Sequence, residues 1–342
     1  MTPKTVIGLG VVTAVAVVAA GFSIASQYGG TQQTRIEEPV VEGLEDRIND
    51  VAKIVVKSSS DEFTVVRGDK GWTVPEEDGY PADQDLVRRT LYQLSQLRLI
   101  EPKTTMEERY PRLQVEDVAA EDAKSALLTV SDGSGGEIAS LIVGKVKMSL
   151  AGSLGGGVYL RRNGEKQSWL AEGELVVRSN AVDWVDEDVV DVASGRIQSV
   201  TTTSSDGAVL RFSREATSDK DFQVEGLPEG KSLKKDALKD LAGVLSNTRL
   251  SEVAAASNKP FDAAKTVKAE VATFDGLIVG VSLQKGDDGI WASFEARAAE
   301  GSSDAAAAEA KKVNDRVSGW VYKISEGQIG PLLKKPEDLV ES

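Results

Sequence analysis

The chain has 342 residues, room for two domains of ordinary size, and its 41% apolar and 27% charged residues are a globular mixture. A formal charge of −14 argues against nucleic acid as a partner, because phosphate binding needs clustered Lys and Arg, and against docking onto anionic lipid through a basic patch. There is no Cys and no His, which excludes disulfides, thiolate or His-ligated metal and Ser-His-Asp or Cys-His nucleophiles, and leaves an enzyme only carboxylates, Lys, Tyr or a Ser-Lys pair.

From Thr5 to Thr34 no residue is charged, and Val6–Ser26 is apolar on every helical face. At ~1.5 Å per residue this stretch spans roughly 30 Å, one hydrocarbon thickness. Lys4 precedes it, and Arg35 followed by several acids comes after it, so the positive-inside bias leaves the N-terminus in the cytoplasm. The expectation is a signal-anchor helix within residues 1–28 of an inner (cytoplasmic) membrane protein, single-pass, with the bulk extracytoplasmic or periplasmic. Its length favours retention over a cleaved signal peptide, for which Ser23 and Ala25 would supply the small-x-small site. Residues 29–50 read as a polar tether and a short helix.

Beyond the tether the chain reads twice. LSQLRLIE (Leu94–Glu101) returns as LSNTRLSE (Leu245–Glu252). LIVG recurs at Leu141–Gly144 and Leu277–Gly280, a Trp-Val pair at Trp184–Val185 and Trp320–Val321, and Trp72-x-Val74 has a counterpart in Phe222-x-Val224. The order is kept, with one interval shortened as a single deletion would leave it. The expected fold is α+β: two tandem duplicated repeats with mainly antiparallel sheets, over residues 51–194 and 195–338.

Each repeat is predicted to open with a strand (from Ile54, and from Ile197). A second follows a polar turn (FTVVR after Glu62, AVLRFS after Gly207), and a third carries Trp72 or Phe222. A helix comes next. In the first repeat Tyr80-Pro81 stops the strand, Asp83 or Asp85 caps the helix, and Val87, Leu91 and Leu94 form its apolar stripe. In the second, Ser232 is the expected cap and Leu238, Leu241 and Leu245 the stripe. Leu94 and Leu245 face the sheet, and Arg98 and Arg249 fall in the last helical turn. The remaining strands are SALLTVS, IASLIVG, GVYLRR and SWLA, then KAEVATF, LIVGVSLQ and IWASFEA. A short helix carrying Trp184 or Trp320 closes each repeat, both rings reading as core.

No motif survives as chemistry. AGSLGGGVYL (Ala151–Leu160) lacks the P-loop pattern and precedes a strand, so it reads as a hairpin tip. DWVDEDVVD (Asp183–Asp191) lacks EF-hand spacing and reads as a solvated acidic helix face. KSLKK (Lys231–Lys235) reads as an exposed helix start, and GDKGW (Gly68–Trp72) as a hairpin turn. No residue is assigned a catalytic, cofactor-binding or metal-ligating role, and no cofactor is expected.

GLEDRINDVAKIVV, GWTV and YPADQDLV before a Leu-rich helix, in that order after a membrane segment, resemble the bacterial DUF4340 proteins. EERYPRLQVED (Glu107–Asp117) resembles a further family segment, with Gln114 where the family has Gly. The resemblance implies a single-pass envelope protein, with ABC-type transporter subunits as possible partners and no catalytic residue to carry over. A non-enzymatic accessory or scaffold is the function expected. The rivals are a binding module for a cell-envelope component, with its groove between the repeats and its small-molecule ligand unknown, and a carboxylate-based enzyme.

Overall fold

The computed structural model describes residues 37–150, 155–219, 222–225, 234 and 240–340. The expected membrane helix, the Ser232 cap and most of KSLKK lie outside the described residues. Among those described, no helix is long and apolar enough to cross a membrane.

Two sheets account for most of the chain. The first takes β1 (Glu38–Pro39), β2 (Val51–Lys57), β3 (Glu62–Gly68), β4 (Gly71–Val74), β5 (Tyr80–Pro81), β6 (Arg98–Pro102), β7 (Ala126–Asp132), β8 (Glu137–Lys147), β9 (Gly157–Arg162) and β10 (Ser168–Glu172). Their spatial order is β1-β6-β10-β9-β8-β7-β2-β3-β4-β5. The second sheet takes β11 (Asp188–Val190), β12 (Ile197–Thr203), β13 (Val209–Ser213), β14 (Gln223–Glu225), β15 (Thr248–Ala255), β16 (Val267–Thr273), β17 (Leu277–Gly286), β18 (Gly289–Ala298) and β19 (Trp320–Ile324). Its order is β11-β15-β19-β18-β17-β16-β12-β13-β14. Every pairing between these strands is antiparallel. With β5 set aside, the first order maps onto the second strand for strand.

The registers sharpen this correspondence. In β6 the ladder to β10 slips by one residue at Ile100, between Leu99 and Glu101. In β15 the ladder to β19 slips at Ser251, between Leu250 and Glu252. The repeated RL-x-E therefore carries a bulge at the same residue in both sheets, where an extra residue re-aims the side chains beyond it. The opening strands slip alike, at Ala52 and at Gln198. Trp72 and Phe222 also coincide: Thr73 pairs with Val66 opposite Lys53, and Gln223 with Ser213 opposite Ser199. The LIVG stretches lie on corresponding strands but not in register. Leu141 faces Leu128, and the residue facing the equivalent Ala269 is Val281, not Leu277.

The inward faces of both sheets share one apolar core, from Ile54, Phe63 and Leu128 to Val200, Val271 and Leu283. Period-two burial along the strands, apolar in and polar out, produces this face. Two helices follow their caps. Helix α1 (Gln84–Gln96) starts where Asp83 Oδ1 accepts from the amides of Asp85 (2.9 Å) and Leu86 (3.0 Å), and it buries Val87, Leu91 and Leu94. Helix α2 (Asp304–Val317) starts at Ser303, buries Ala306, Ala310 and Val317, and packs across β17 and β18.

The outer faces differ. In the first sheet the segment between β6 and β7 folds over β7–β9, packing Tyr110 and Val115 on Ile142 with Leu127 and Tyr159 beside them. Buried Arg161 holds this cover down. Its Nε and Nη1 donate to the carbonyls of Val115 (3.1 Å) and Glu165 (2.8 Å), and its guanidinium stacks 4.7 Å from the Tyr110 ring centre. The second sheet has a shorter crossing there, and its outer face is polar, with pairs such as Arg297–Glu270 at 2.7 Å.

Several expectations are corrected. Arg98 and Arg249 stand on β6 and β15 rather than in a last helical turn, because the chain straightens after Gln96 and after Asn247. Arg98 still donates to the Ser95 carbonyl at the helix end (3.2 Å). Trp184 does sit on a short 3-10 turn, Ala181–Trp184, but Trp320 opens β19, so the two Trp-Val pairs occupy different places. DWVDEDVVD is not a helix face: Asp188–Val190 pairs with β15, and Val189 and Val190 are buried. Ahead of β15, the described end of the expected helix is a 3-10 turn, Leu241–Gly243, with Leu241 and Leu245 buried as foreseen.

Candidate functional site: the junction between the sheets

The two sheets meet where β5, the start of α1 and the segment Ala181–Val190 come together. Gly71, at φ +116°, is the first requirement, since a Cβ there would lie 2.8 Å from the Gln84 amide oxygen. That amide bonds Trp72 in both directions, accepting from its N–H and donating to its carbonyl, each at 2.9 Å, and donates to Ala82 at 2.7 Å. GWTV and YPADQ are thus one physical unit, in which Gln84 fixes the β4–β5 corner. The corner then binds the other segment. Asp83 N–H donates to Trp184 (2.8 Å), Asp186 N–H donates to Pro81 (3.1 Å), and Ala82 bridges Val185.

Aromatic rings carry the contact into the second sheet. Tyr80 meets Trp320 edge-on at 4.9 Å and Tyr322 at 6.0 Å, and Tyr322 meets Phe294 at 6.0 Å. Burial pushes the phenols of Tyr80 and Tyr322 above the ordinary tyrosine range. Trp184 is fully buried 6.2 Å from Phe63, with Nε1 donating to Arg178 (2.9 Å). Trp184 is therefore core as the sequence implied, while Trp320 is half-buried and packs against the core's edge. Beside the rings, the Asp78 carboxylate accepts from the amide of Ala255 (2.8 Å) and from Asn258 Nδ2 (2.9 Å).

Glu77, next to Asp78, is half-buried, and its carboxyl is pushed above the usual range by burial first, then by Glu252, Asp61, Asp78 and Glu76. A carboxyl raised in the fold favours the folded state while protonated, and that advantage fades as pH rises through its folded pKa. Glu77→Gln is accordingly expected to raise the denaturation midpoint at pH 7. At pH 4 it should make little difference. Urea titrations at the two pH values check this, and an equal effect at both would sink it.

Outside this packing lies a charged cleft of about 500 Å³. Arg88 and Arg89 line it from α1, Arg249 from β15 and Arg316 from α2, opposite Asp186, Glu187 and Asp188. Arg249 is held by Glu187 (3.4 Å) and Asp188 (3.3 Å), and Arg88 by Asp85. Among the described residues Arg89 and Arg316 form no ion pair and are exposed. Such a cleft can exchange ion pairs with a charged surface. Among the described residues no group of three acids is placed to hold a metal ion.

The sequence assigned no site residue, and nothing in it links these arginines, which come from three separate elements. The Arg88-Arg89 pair after a helix cap was the one visible sign. Of the other stretches weighed for chemistry, GDKGW is a hairpin with Asp69-Lys70 at its tip, and of AGSLGGGVYL the first four residues lie outside the described residues while the rest leads into β9. Lys234 of KSLKK donates to the Asp338 carbonyl (2.9 Å).

The fold defines a protein of two like-ordered antiparallel sheets sharing one core. The family model described as "Domain of unknown function (DUF4340)" matches residues 72–269, more than half of the chain, and the chain belongs to that family. The match begins in β4 and ends in β16, so it takes in β5, α1 and Ala181–Val190 but not Phe294, Arg316, Trp320 or Tyr322, while GLEDRINDVAKIVV lies before it. EERYPRLQVED lies inside it, and Gln114 keeps the turn there at φ +58°, doing what a Gly would do. No curated protein and no solved structure matches the chain.

Proposed function

We propose that this is a non-enzymatic, single-pass envelope protein whose two repeats stand outside the inner (cytoplasmic) membrane as an accessory or scaffold to an ABC-type transport complex. The observation that carries the reading is the junction: a contact fixed by hydrogen bonds and stacked rings, with an outer wall of charged side chains. A surface of that kind suits recognition of another protein, where charge sets partner choice and rim contacts need not be apolar. The apolar stretch Val6–Ser26 supports the anchor.

The repeats are, in this reading, copies of one ancestral unit, each opening with the short outer strand β1 or β11. Shared strand order and the shared bulges in RLIE and RLSE support duplication. The LIVG and Trp-Val matches do not, since they fall out of register or on different elements.

The test is crosslinking on native membranes, followed by purification and mass spectrometry, with wild type and Arg89→Glu/Arg316→Glu side by side. Recovery of a transporter permease and its ATPase with wild type, lost in the double variant, is the expected result. Recovery of neither with wild type would overturn the accessory role. The cleft would then favour the second reading, a module binding an anionic cell-envelope component.

A further inference from the structure

Acids make up 54 of the 342 residues, yet from Ile138 to Gly164 there is none. The middle of this stretch is the exit from β8, where Lys145, Val146, Lys147 and Met148 are all exposed. Among the described residues six large apolar side chains are exposed, and three gather here: Met148 at 87%, Val176 at 62% and Val146 at 36%. Val146 and Val176 line the same shallow groove, with Lys124 on its edge. Lys124, Lys145 and Lys147 form no ion pair among the described residues, and Lys145 Nζ lies 5.8 Å from the Tyr159 ring centre. The nearest acids in sequence, Glu121, Asp122 and Glu174, flank Lys124 and Val176, so the cationic character rests on Lys145 and Lys147. The end of β8 is held in place, because Gly157 pairs with Lys147 and a Cβ on Gly156 would lie 2.8 Å from the Lys147 carbonyl.

We propose that this end of the first sheet docks on an anionic phospholipid surface, with Met148, Val146 and Val176 entering the interface and Lys145 and Lys147 pairing with headgroup phosphates. The inference rests on the membrane anchor proposed above. Three features select a bilayer as the occupant. The side chains combine exposed apolar groups with cations, the composition of interfacial segments. The site is a local exception to a charge of −14 that would otherwise keep the protein off such a surface. The reach also suffices: the apolar stretch ends at Ser26 and the described chain begins at Glu37. The residues between span at most roughly 35 Å, and Pro39 and Lys147 stand on one row across β1, β6, β10, β9 and β8.

The absence of cysteine supplies the experiment. Full-length Met148→Cys, labelled with an environment-sensitive dye, is reconstituted in phosphatidylcholine vesicles with and without phosphatidylglycerol. Val209→Cys, exposed on the second sheet, is the reference. A blue shift at position 148 that requires phosphatidylglycerol and is reversed by salt, with no shift at 209, is expected. Adding Lys145→Gln/Lys147→Gln should weaken docking by roughly 30-fold, given the attraction of each lysine to an anionic surface. Identical emission at 148 in both lipids overturns the proposal. So does a shift that follows protein concentration and ignores lipid, which would mean a second copy covers the patch. The anchor is read separately, by whether the protein stays on the vesicles at high salt. If it washes off, the dye readout on added phosphatidylglycerol vesicles still decides the patch.

Discussion

Gly144→Ala is expected to destabilise the protein by about 2–4 kcal/mol, while Gly280→Ala, at the end of the other LIVG, should change it by under about 1 kcal/mol. A Cβ on Gly144 would lie 2.4 Å from the Leu113 carbonyl oxygen and 2.6 Å from that of Gln114. Both are backbone atoms of the segment folded over the outer face, and Lys145 N–H bonds the same Leu113 carbonyl at 3.1 Å. Relief therefore means lifting the cover with Tyr110 and Val115. On Gly280 the Cβ would meet the Glu295 side chain at 2.9 Å, and an exposed carboxylate arm can swing away. Urea denaturation of the purified full chain measures both. Equal effects would mean that the cover is not seated against β8 as described.

Trp184→Ala should cost about 3–5 kcal/mol, the range for truncating a fully buried large ring. Trp184→Phe, which keeps most of the ring and loses the bond to Arg178, should cost about 1–2 kcal/mol. Trp320 is only half-buried, so Trp320→Ala should fall well below Trp184→Ala despite the shared Trp-Val context. The same denaturation series gives the ranking, and a Trp320 variant as damaged as the Trp184 one would contradict the burial seen here.

Legibility in the sequence depends on how far each signal reaches along the chain. Period-two runs such as ALLTVSD report a local burial pattern, so most strands are legible. Asp83 and the stripe Val87, Leu91, Leu94 give α1 for the same reason. The strand at Arg98–Pro102 reads as a helix end because RLIEP has no alternation of its own; pairing with β10 makes it a strand. Helix α2 has a legible sign too, the Ser303 cap ahead of Ala306, Ala310 and Val317, although the sequence reading passes over it. The PVVE of Pro39–Glu42 and the DVVD of Asp188–Asp191 precede the opening strands β2 and β12 of the two sheets in matching positions, yet acidic composition hides the second as a strand. The junction is out of reach, since a cleft walled by α1, β15 and α2 depends on contacts no spacing encodes.

The passage from one sheet to the other leaves no slack. Asp186 is bonded to Pro81, the Glu187 carbonyl accepts from Leu250, and Asp188 already pairs with Arg249. A hinge needs consecutive residues free to rotate, and here each successive residue is tied to one sheet or the other. Mechanically the two sheets act as one body rather than two beads on a string: a load applied to one sheet would arrive at the other with little loss. Stretched from its ends, it should give way in a single rupture instead of two.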